Sequence, residues 1–147
     1  MGTLGITLSL LISTPTGSTA YNLAAGGPLV STNVDGILFT PICPHSLSFK
    51  PVIFPVDSEI TLKVPHHARS DAWISLDGHT RHELCRGEKV TIRKSSHSLL
   101  LLTKVEEKPL QQWCKRLRSL LHWNSRGAVQ GENDDDYDEW IISFDLY

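Results

Sequence analysis

The sequence predicts a mainly β chain, a β-sandwich with a short helix near its start and a second helix near its C-terminus. From residue 37 to residue 92, apolar and polar residues alternate with a period of two, as in half-buried strands. Turn signals separate these runs at intervals of about eight to twelve residues. The chain has 147 residues, 40% of them hydrophobic, which is enough to bury a single core.

The first elements are a strand, a turn and a short helix. Residues 1–12 are interpreted as an irregular or wrongly joined start that leads into a strand over 7–13. Pro15 stops this strand, since it cannot donate to a ladder, and Ser18 has the side chain of a helix cap. The sequence therefore predicts a helix over 19–25, which Gly26 and the residues after it end.

Six short runs then read as strands. They are Ile37-Leu38-Phe39, Leu47-Ser48-Phe49, the alternating runs 60–64, 72–76 and 89–93, and the continuous apolar run 99–102. The last run predicts a strand covered on both faces. Asp77-Gly78 is a hairpin turn signal, and Arg86-Gly87 predicts the next turn.

A helix and an acidic tail follow. Pro109 predicts a helix start, and apolar residues then recur at helical spacing until about Asn124. They are Leu110, Trp113, Cys114, Leu117, Leu120 and Leu121. The acidic residues 125–147 predict a disordered tail, so the domain itself is expected over 13–124.

Composition excludes several classes of function. The net charge is −2 and no basic face is evident, which argues against a nucleic-acid partner. No stretch reaches the roughly 20 apolar residues that span a bilayer, and the N-terminus lacks the positive region of a signal peptide. We therefore expect no membrane partner and a cytoplasmic protein. The odd number of cysteines, Cys43, Cys85 and Cys114, suggests free thiols.

The chemically informative segment is Ser13-Thr14-Pro15-Thr16-Gly17-Ser18-Thr19-Ala20-Tyr21. A hydroxyl-rich turn before a helix N-terminus suits a phosphate or a sugar, and Tyr21 offers an apolar face to a nucleoside. An ordinary capped turn explains the same residues, and on physical grounds alone it is the commoner case. No phosphate-binding glycine motif is present, and adjacent His66 and His67 would point to opposite faces of a strand. We therefore predict no catalytic residue and no metal site in this chain.

Four segments in order resemble the NAD kinase family. They are 13–28, which contains the hydroxyl-rich turn, Thr40-Pro41-Ile42-Cys43-Pro44-His45-Ser46-Leu47-Ser48-Phe49-Lys50-Pro51, Ala72-Trp73-Ile74-Ser75-Leu76-Asp77-Gly78, and Leu121-His122-Trp123-Asn124. The last two look like those of eukaryotic members. The resemblance implies transfer of the γ-phosphate of ATP to the 2′-hydroxyl of the adenosine ribose of NAD. It also implies that this chain is the C-terminal β-sandwich, which in the family follows an α/β domain.

The resemblance implies particular site residues. Dinucleotide contacts carry over to Thr19, Ala20, Tyr21, Asn22 and Ala24, the last being Ser in many members, and His79 stands where members place a polar side chain near the ligand. NAD is the implied substrate. ATP, with a divalent metal such as Mg, is implied at a site outside this chain. Homo-oligomers are common in the family.

Three departures from the family pattern bear on activity. The Gly-Gly-Asp-Gly motif and the Asn-Glu pair are absent, and Thr7-Leu8-Ser9 stands where members have Gly-Asp-Gly. We therefore expect a fragment that is inactive alone. Two alternatives stay open: a non-catalytic module that associates with a full-length NAD kinase, and a relative of the lipid kinases that share this architecture.

Overall fold

The computed structural model describes residues 9–44, 49–100 and 108–122. Its strands are β1 (Ser9–Ser13), β2 (Gly36–Ile42), β3 (Val52–Pro55), β4 (Ile60–Lys63), β5 (Ala72–Leu76), β6 (Thr80–Leu84) and β7 (Lys89–Ile92). A 3₁₀ helix spans Pro15–Thr19, and two α-helices span Tyr21–Ala24 (α1) and Pro109–Leu121 (α2). The described part of the chain is therefore mainly β, and the predicted fold class is confirmed. The chain divides into two compact units, Met1–Trp113 and Cys114–Tyr147, and every described strand belongs to the first.

The strand β2 is the centre of a three-stranded antiparallel sheet. It pairs with β1 through Ile12↔Phe39 and with β3 through Phe39↔Val52. Neighbouring strands cover both of its long edges, and within its apolar run Ile37 and Leu38 are buried. Pro41 is tolerated in this central strand because the pairing with β3 stops at Phe39, two residues before it.

A contact between aromatic rings joins β2 to β3. Phe39 and Phe54 lie diagonally across the two strands, with ring centroids 5.8 Å apart and planes at 86°. This edge-to-face arrangement is a favourable geometry for aromatic pairs. At the other end of the same pairing, a Cβ on Gly36 would lie 2.9 Å from the Ile53 side chain. Only glycine lets the two strands approach there.

The remaining strands form two antiparallel two-stranded ribbons, β4–β7 and β5–β6. The pair β5–β6 lies in sequence between β4 and β7, which pair with each other. The alternation predicted for these runs is confirmed, since Leu62 and Val90 face each other and are half-buried between exposed neighbours. The predicted Asp77-Gly78 hairpin is also confirmed, with φ values of 49° and 77° at these two residues.

Two strand predictions differ from the structure, and two strands, β3 and β6, were not predicted. Pro51, just before β3, reads as an interruption of the preceding run. Leu99 and Leu100 lie in no strand and are 85% and 90% exposed, so the prediction of a strand covered on both faces is wrong for them. An apolar run lacks the alternation that would have separated strand from loop. Residues 101–102 and 45–48 lie outside the described part, and Phe49 is exposed and not in a strand.

The helices are shorter than predicted. The expected helix over 19–25 is instead the 3₁₀ helix Pro15–Thr19 followed by α1, which has only one turn. Ser18 does not cap a helix, because it lies within the 3₁₀ helix and its buried side chain bonds to the backbone of Val30, 12 residues later. Helix α2 ends at Leu121, before His122 at a φ of 50°, rather than near Asn124. In its predicted apolar stripe Leu117 is buried, whereas Leu110 and Leu120 are exposed.

Candidate functional site

The candidate site is the signature turn, residues 14–24, which follows β1. Its backbone is folded by successive short-range bonds, from the Gly17 N–H to the Thr14 carbonyl at 2.9 Å and from the Ala20 N–H to the Gly17 carbonyl at 3.1 Å. A Cβ on Gly17 would lie 3.1 Å from the Cβ of Ser13, so the turn closes tightly on the end of β1. The sequence forms this turn because Pro15 favours the first position of a helical turn and Gly17 allows the close approach.

The outer face of the signature turn carries most of the predicted contact residues. Tyr21 is 60% exposed, Ala20 and Ala24 are exposed, and Thr19 is half-buried. The Thr19 hydroxyl donates to the Thr16 carbonyl at 3.5 Å, a long hydrogen bond. An exposed aromatic ring beside small residues leaves room for a flat ligand group to approach.

The inner face of the signature turn is polar and buried. Asn22, also predicted to contact the dinucleotide, is only 1% exposed. Its Nδ2 donates to the carbonyls of Pro28 at 2.9 Å and Ser18 at 3.4 Å, and its Oδ1 accepts from the Thr40 hydroxyl at 2.6 Å. In this structure the Asn22 side chain therefore bonds to the protein itself.

Ser18 ties the signature turn to the chain that follows it. Its hydroxyl donates to the Val30 carbonyl and accepts from the Val30 N–H, both at 3.1 Å. Sequence reasoning did not identify this role, nor that of Thr40 in β2. The available signal was a lone polar residue, Thr40, inside the apolar run of a central strand, since a buried hydroxyl needs a partner.

One further polar atom lies next to the signature turn. The Ser13 hydroxyl oxygen is buried and has no hydrogen-bond partner in the described part of the chain. A buried hydroxyl without a partner costs free energy, so it is uncommon in folded proteins.

His79 lies in the loop between β5 and β6, separate in sequence from the signature turn. Its side chain is exposed, and its backbone N–H donates to the Leu76 carbonyl at 3.0 Å, which closes the hairpin. Among the described residues no hydrogen bond joins His79 to the signature turn. Five of the predicted site residues therefore lie in the signature turn, and His79 lies in the hairpin loop of the β5–β6 ribbon.

Two carboxylates bond to the backbone of the turn at Cys85. The Glu88 carboxylate accepts from the Cys85 N–H at 2.7 Å, and the Asp71 carboxylate accepts from the Arg86 N–H at 2.7 Å. Partial desolvation raises the pKa of the Cys85 thiol, and the negative charges of Glu88, Asp71 and Glu83 raise it further. A thiol with a raised pKa forms less of the nucleophilic thiolate at neutral pH.

The described ranges contain no set of side chains that could bind a metal ion together. Within them, no group of three or more His, Cys, Asp or Glu side chains could hold a metal ion. No helix within the same ranges is long and apolar enough to cross a membrane.

The fold and the site together define a mainly β domain with a hydroxyl-rich, surface-exposed turn beside its central sheet. Residues 4–104 match the family described as the ATP-NAD kinase C-terminal domain. This match covers more than half of the sequence, and the protein belongs to that family.

Relatives are found in plants, fungi and bacteria. NAD kinase 2, chloroplastic, of Arabidopsis thaliana is 50% identical over 80% of this chain, which spans 12% of that protein. The NAD(+) kinase of Saccharomyces cerevisiae is 43% identical over 80% of this chain and 21% of that protein. NAD kinase of Magnetococcus marinus is 40% identical over 78% of this chain and 36% of that protein. The chain thus spans well under half the length of these curated relatives.

The solved structures show the same fold. Yeast NADH kinase, crystallised with NADH, matches with a TM-score of 0.65 and 29% identity, covering 86% of this chain and 42% of that one. An NAD kinase from Archaeoglobus fulgidus, at 24% identity and a TM-score of 0.60, supports the fold alone. The β-sandwich class predicted from the sequence agrees with both.

Proposed function

We propose that this chain is the dinucleotide-binding part of an NAD kinase. In the NAD kinase reaction the 2′-hydroxyl of the adenosine ribose of NAD attacks the γ-phosphorus of ATP and loses its proton to a base. The bond from that phosphorus to the bridging oxygen of the β-phosphate breaks, so NADP and ADP form. Family membership supports the proposal, and so does the yeast relative that was crystallised with NADH. The single observation that carries it is the exposed Tyr21 ring on the signature turn of this family's domain.

The proposed contacts are on the outer face of the signature turn. The Tyr21 ring would pack against a nucleoside of NAD, as aromatic side chains do with bases. The small side chains of Ala20 and Ala24 would let the dinucleotide approach the backbone, and the Thr19 hydroxyl would bond to a ribose or amide group. The resemblance also predicts contacts by Asn22 and His79, but the Asn22 side chain already bonds to Ser18, Pro28 and Thr40 within the protein.

Phosphoryl transfer itself is proposed to depend on groups outside this sequence. The reaction needs an oriented hydroxyl, a base or positioning group, and phosphates bound to a metal. The sequence has no Gly-Gly-Asp-Gly motif, and the described residues contain no metal-binding cluster. ATP and its divalent metal are therefore assigned to the α/β domain that precedes this domain in the family.

A second candidate is a non-catalytic module that associates with a complete NAD kinase or with copies of itself. What favours it is that the family's C-terminal domain is matched over residues 4–104, while Thr7-Leu8-Ser9 stands where members of the family have Gly-Asp-Gly. Co-purification with a full-length relative would support it. The family match favours both candidates over a lipid kinase. The cytoplasmic location, the domain limits 13–124 and the disordered tail 125–147 remain predictions.

The proposal is tested by calorimetric titration of the chain with NAD. We expect measurable binding that Tyr21→Ala weakens by roughly 5- to 150-fold, because stacking of a base on an aromatic ring contributes about 1–3 kcal/mol. Tyr21→Phe, which keeps the ring, should retain most of the affinity. The thermal unfolding midpoint of Tyr21→Ala should stay within a few degrees of the wild type, because the ring is exposed.

The matched control is Trp73→Ala. Trp73 is 66% exposed on β5, so the substitution removes a similarly accessible aromatic ring from a strand outside the signature turn. NAD affinity should not change in this variant. If the wild-type chain gives no heat with NAD at millimolar concentration, or if both variants lose affinity equally, Tyr21 is not the specific contact proposed.

A further inference from the structure

Polar side chains fill the interior beneath the signature turn. Besides Leu38, the large side chains with the least exposed surface are Asn22, Thr40 and Ser18, at 1%, 0% and 0%. We refer to Ser18, Asn22 and Thr40 as the polar cluster. Burial of three polar side chains where apolar ones would suffice indicates a requirement for particular hydrogen bonds.

The bonds of the polar cluster leave Asn22 no donor for a ligand. An asparagine amide has two hydrogens, and Asn22 donates them to the carbonyls of Pro28 and Ser18. The Thr40 hydroxyl donates to the Asn22 oxygen at 2.6 Å, across a separation of 18 residues. This bond connects the central strand β2 directly to helix α1.

The chain after α1 is shaped around the Asn22 amide. A Cβ on Gly27 would overlap the Asn22 side chain, so only glycine fits there. The Gly27 N–H also donates to the Asn22 carbonyl at 2.8 Å. Both the side chain and the backbone of Asn22 are therefore fixed by the segment that returns to the sheet.

Holding Asn22 also holds the backbone from which Tyr21 projects, because the two residues are adjacent in α1, Asn22 buried and Tyr21 exposed. We propose that Asn22 and Thr40 are positioning residues for the dinucleotide: Thr40 holds Asn22, and Asn22 holds the turn that presents Tyr21. On this view Asn22 does not contact NAD. The inference rests on the proposed function for its consequence on NAD binding, whereas the effect on the turn can be measured without NAD.

The first test is amide hydrogen exchange, measured by NMR on the chain without ligand. Thr40→Val removes the hydroxyl at nearly constant shape. It should speed exchange of the Leu23, Ala25 and Gly27 amides about tenfold, because their acceptors lie in the turn that loosens. Thr40→Ser should restore protection. The Val64 and His79 amides, bonded elsewhere, should be unaffected in both variants, which separates local loosening from unfolding.

A control variant and an internal control complete this test. Thr61→Val removes a hydroxyl that is exposed and bonds to Thr91, and it should leave the signature turn unchanged. In the wild-type chain the Asn22 side-chain amide should exchange at least about tenfold more slowly than that of exposed Asn33. This last measurement needs no substitution, so it decides the question even if Thr40→Val does not fold. Equal exchange of the two asparagine amides would overturn the inference.

The second test is NAD titration of the same variants. Thr40→Val should weaken NAD binding about tenfold and Thr40→Ser by no more than about threefold, while Thr61→Val should bind like the wild type. Unchanged exchange and unchanged affinity in Thr40→Val would contradict a positioning role. If the wild-type chain fails to bind NAD, the proposed function fails, yet the exchange data still show whether Thr40 and Asn22 hold the turn.

Discussion

Two neighbouring residues in the signature turn have different roles: one is exposed to a ligand, and the other holds the turn in place. Tyr21 is exposed, and Asn22, the next residue, is buried and bonded to three partners. The sequence motif predicts both residues as contacts to the dinucleotide. Their surroundings assign them different chemistry, because a side chain whose hydrogens are all donated internally has none left to offer.

Cys85 gives a prediction at the same scale. Partial desolvation and the carboxylates of Glu88, Asp71 and Glu83 raise the pKa of its thiol, so less thiolate is present at neutral pH. Glu88→Gln removes one negative charge and keeps an oxygen for the Cys85 N–H. The pKa should fall, and alkylation of Cys85 by iodoacetamide at pH 7.5 should become roughly a few times faster. The rate is measured by mass spectrometry of the peptide that contains Cys85.

Glu59→Gln serves as the comparison for this experiment. Glu59 is exposed and is not among the carboxylates that act on Cys85. Its substitution should leave the alkylation rate unchanged, and the rate in every variant should rise with pH as thiolate forms. A Glu88→Gln rate equal to or below that of the wild type would show that the carboxylate does not control the thiol.

At the scale of secondary-structure elements, the sequence predicted the strands correctly where apolar and polar residues alternate, and the hairpin where Asp-Gly follows such a run. The strands β4, β5 and β7 were predicted from their period of two, and the hairpin after β5 from Asp77-Gly78, which both have positive φ. The strand β3 was missed because Pro51 precedes it, and the pairing of β4 with β7 could not be read from spacing. Long-range pairing depends on tertiary contacts that a local pattern does not encode.

The turn between β6 and β7 gives a prediction at this scale. Gly87 has a φ of 92°, its N–H donates to the Val64 carbonyl, and a Cβ there would overlap the ring of His66. Gly87→Ala should therefore lower the free energy of unfolding by more than Gly78→Ala. The latter also has a positive φ, 77°, but open space around it, and should cost about 1–2 kcal/mol. Urea denaturation measures both values.

A double substitution isolates the His66 contact. In the His66→Ala background the ring is gone, and the cost of Gly87→Ala should fall to about that of Gly78→Ala. The coupling free energy between positions 66 and 87 is then the steric part of the effect. Additive costs, with no coupling, would show that the backbone dihedral alone makes Gly87 necessary.

For the whole molecule, the sequence was sufficient to predict the class and the family but not the interior of the site. The mainly β architecture followed from alternation, and the signature turn from its hydroxyls and glycine. The polar cluster was not predicted, because Thr40 lies 18 residues from Asn22 and comes near it only when β2 pairs with β1. The helix after the turn was also overestimated, since a 3₁₀ turn and an α turn have similar local propensities.

The final prediction concerns activity. Incubated with NAD, ATP and Mg²⁺, the 147-residue chain should form no NADP above a buffer control, because it lacks the motif that in the family accompanies the reacting hydroxyl. A chimaera with the α/β domain of a relative placed before residue 13 should form NADP. In that chimaera Tyr21→Ala should raise the KM for NAD by more than it lowers kcat, because the ring binds substrate and takes no part in the chemistry. Trp73→Ala should change neither constant. Steady NADP formation by the isolated chain, abolished by Tyr21→Ala, would instead place the whole reaction within these residues and require a base among them.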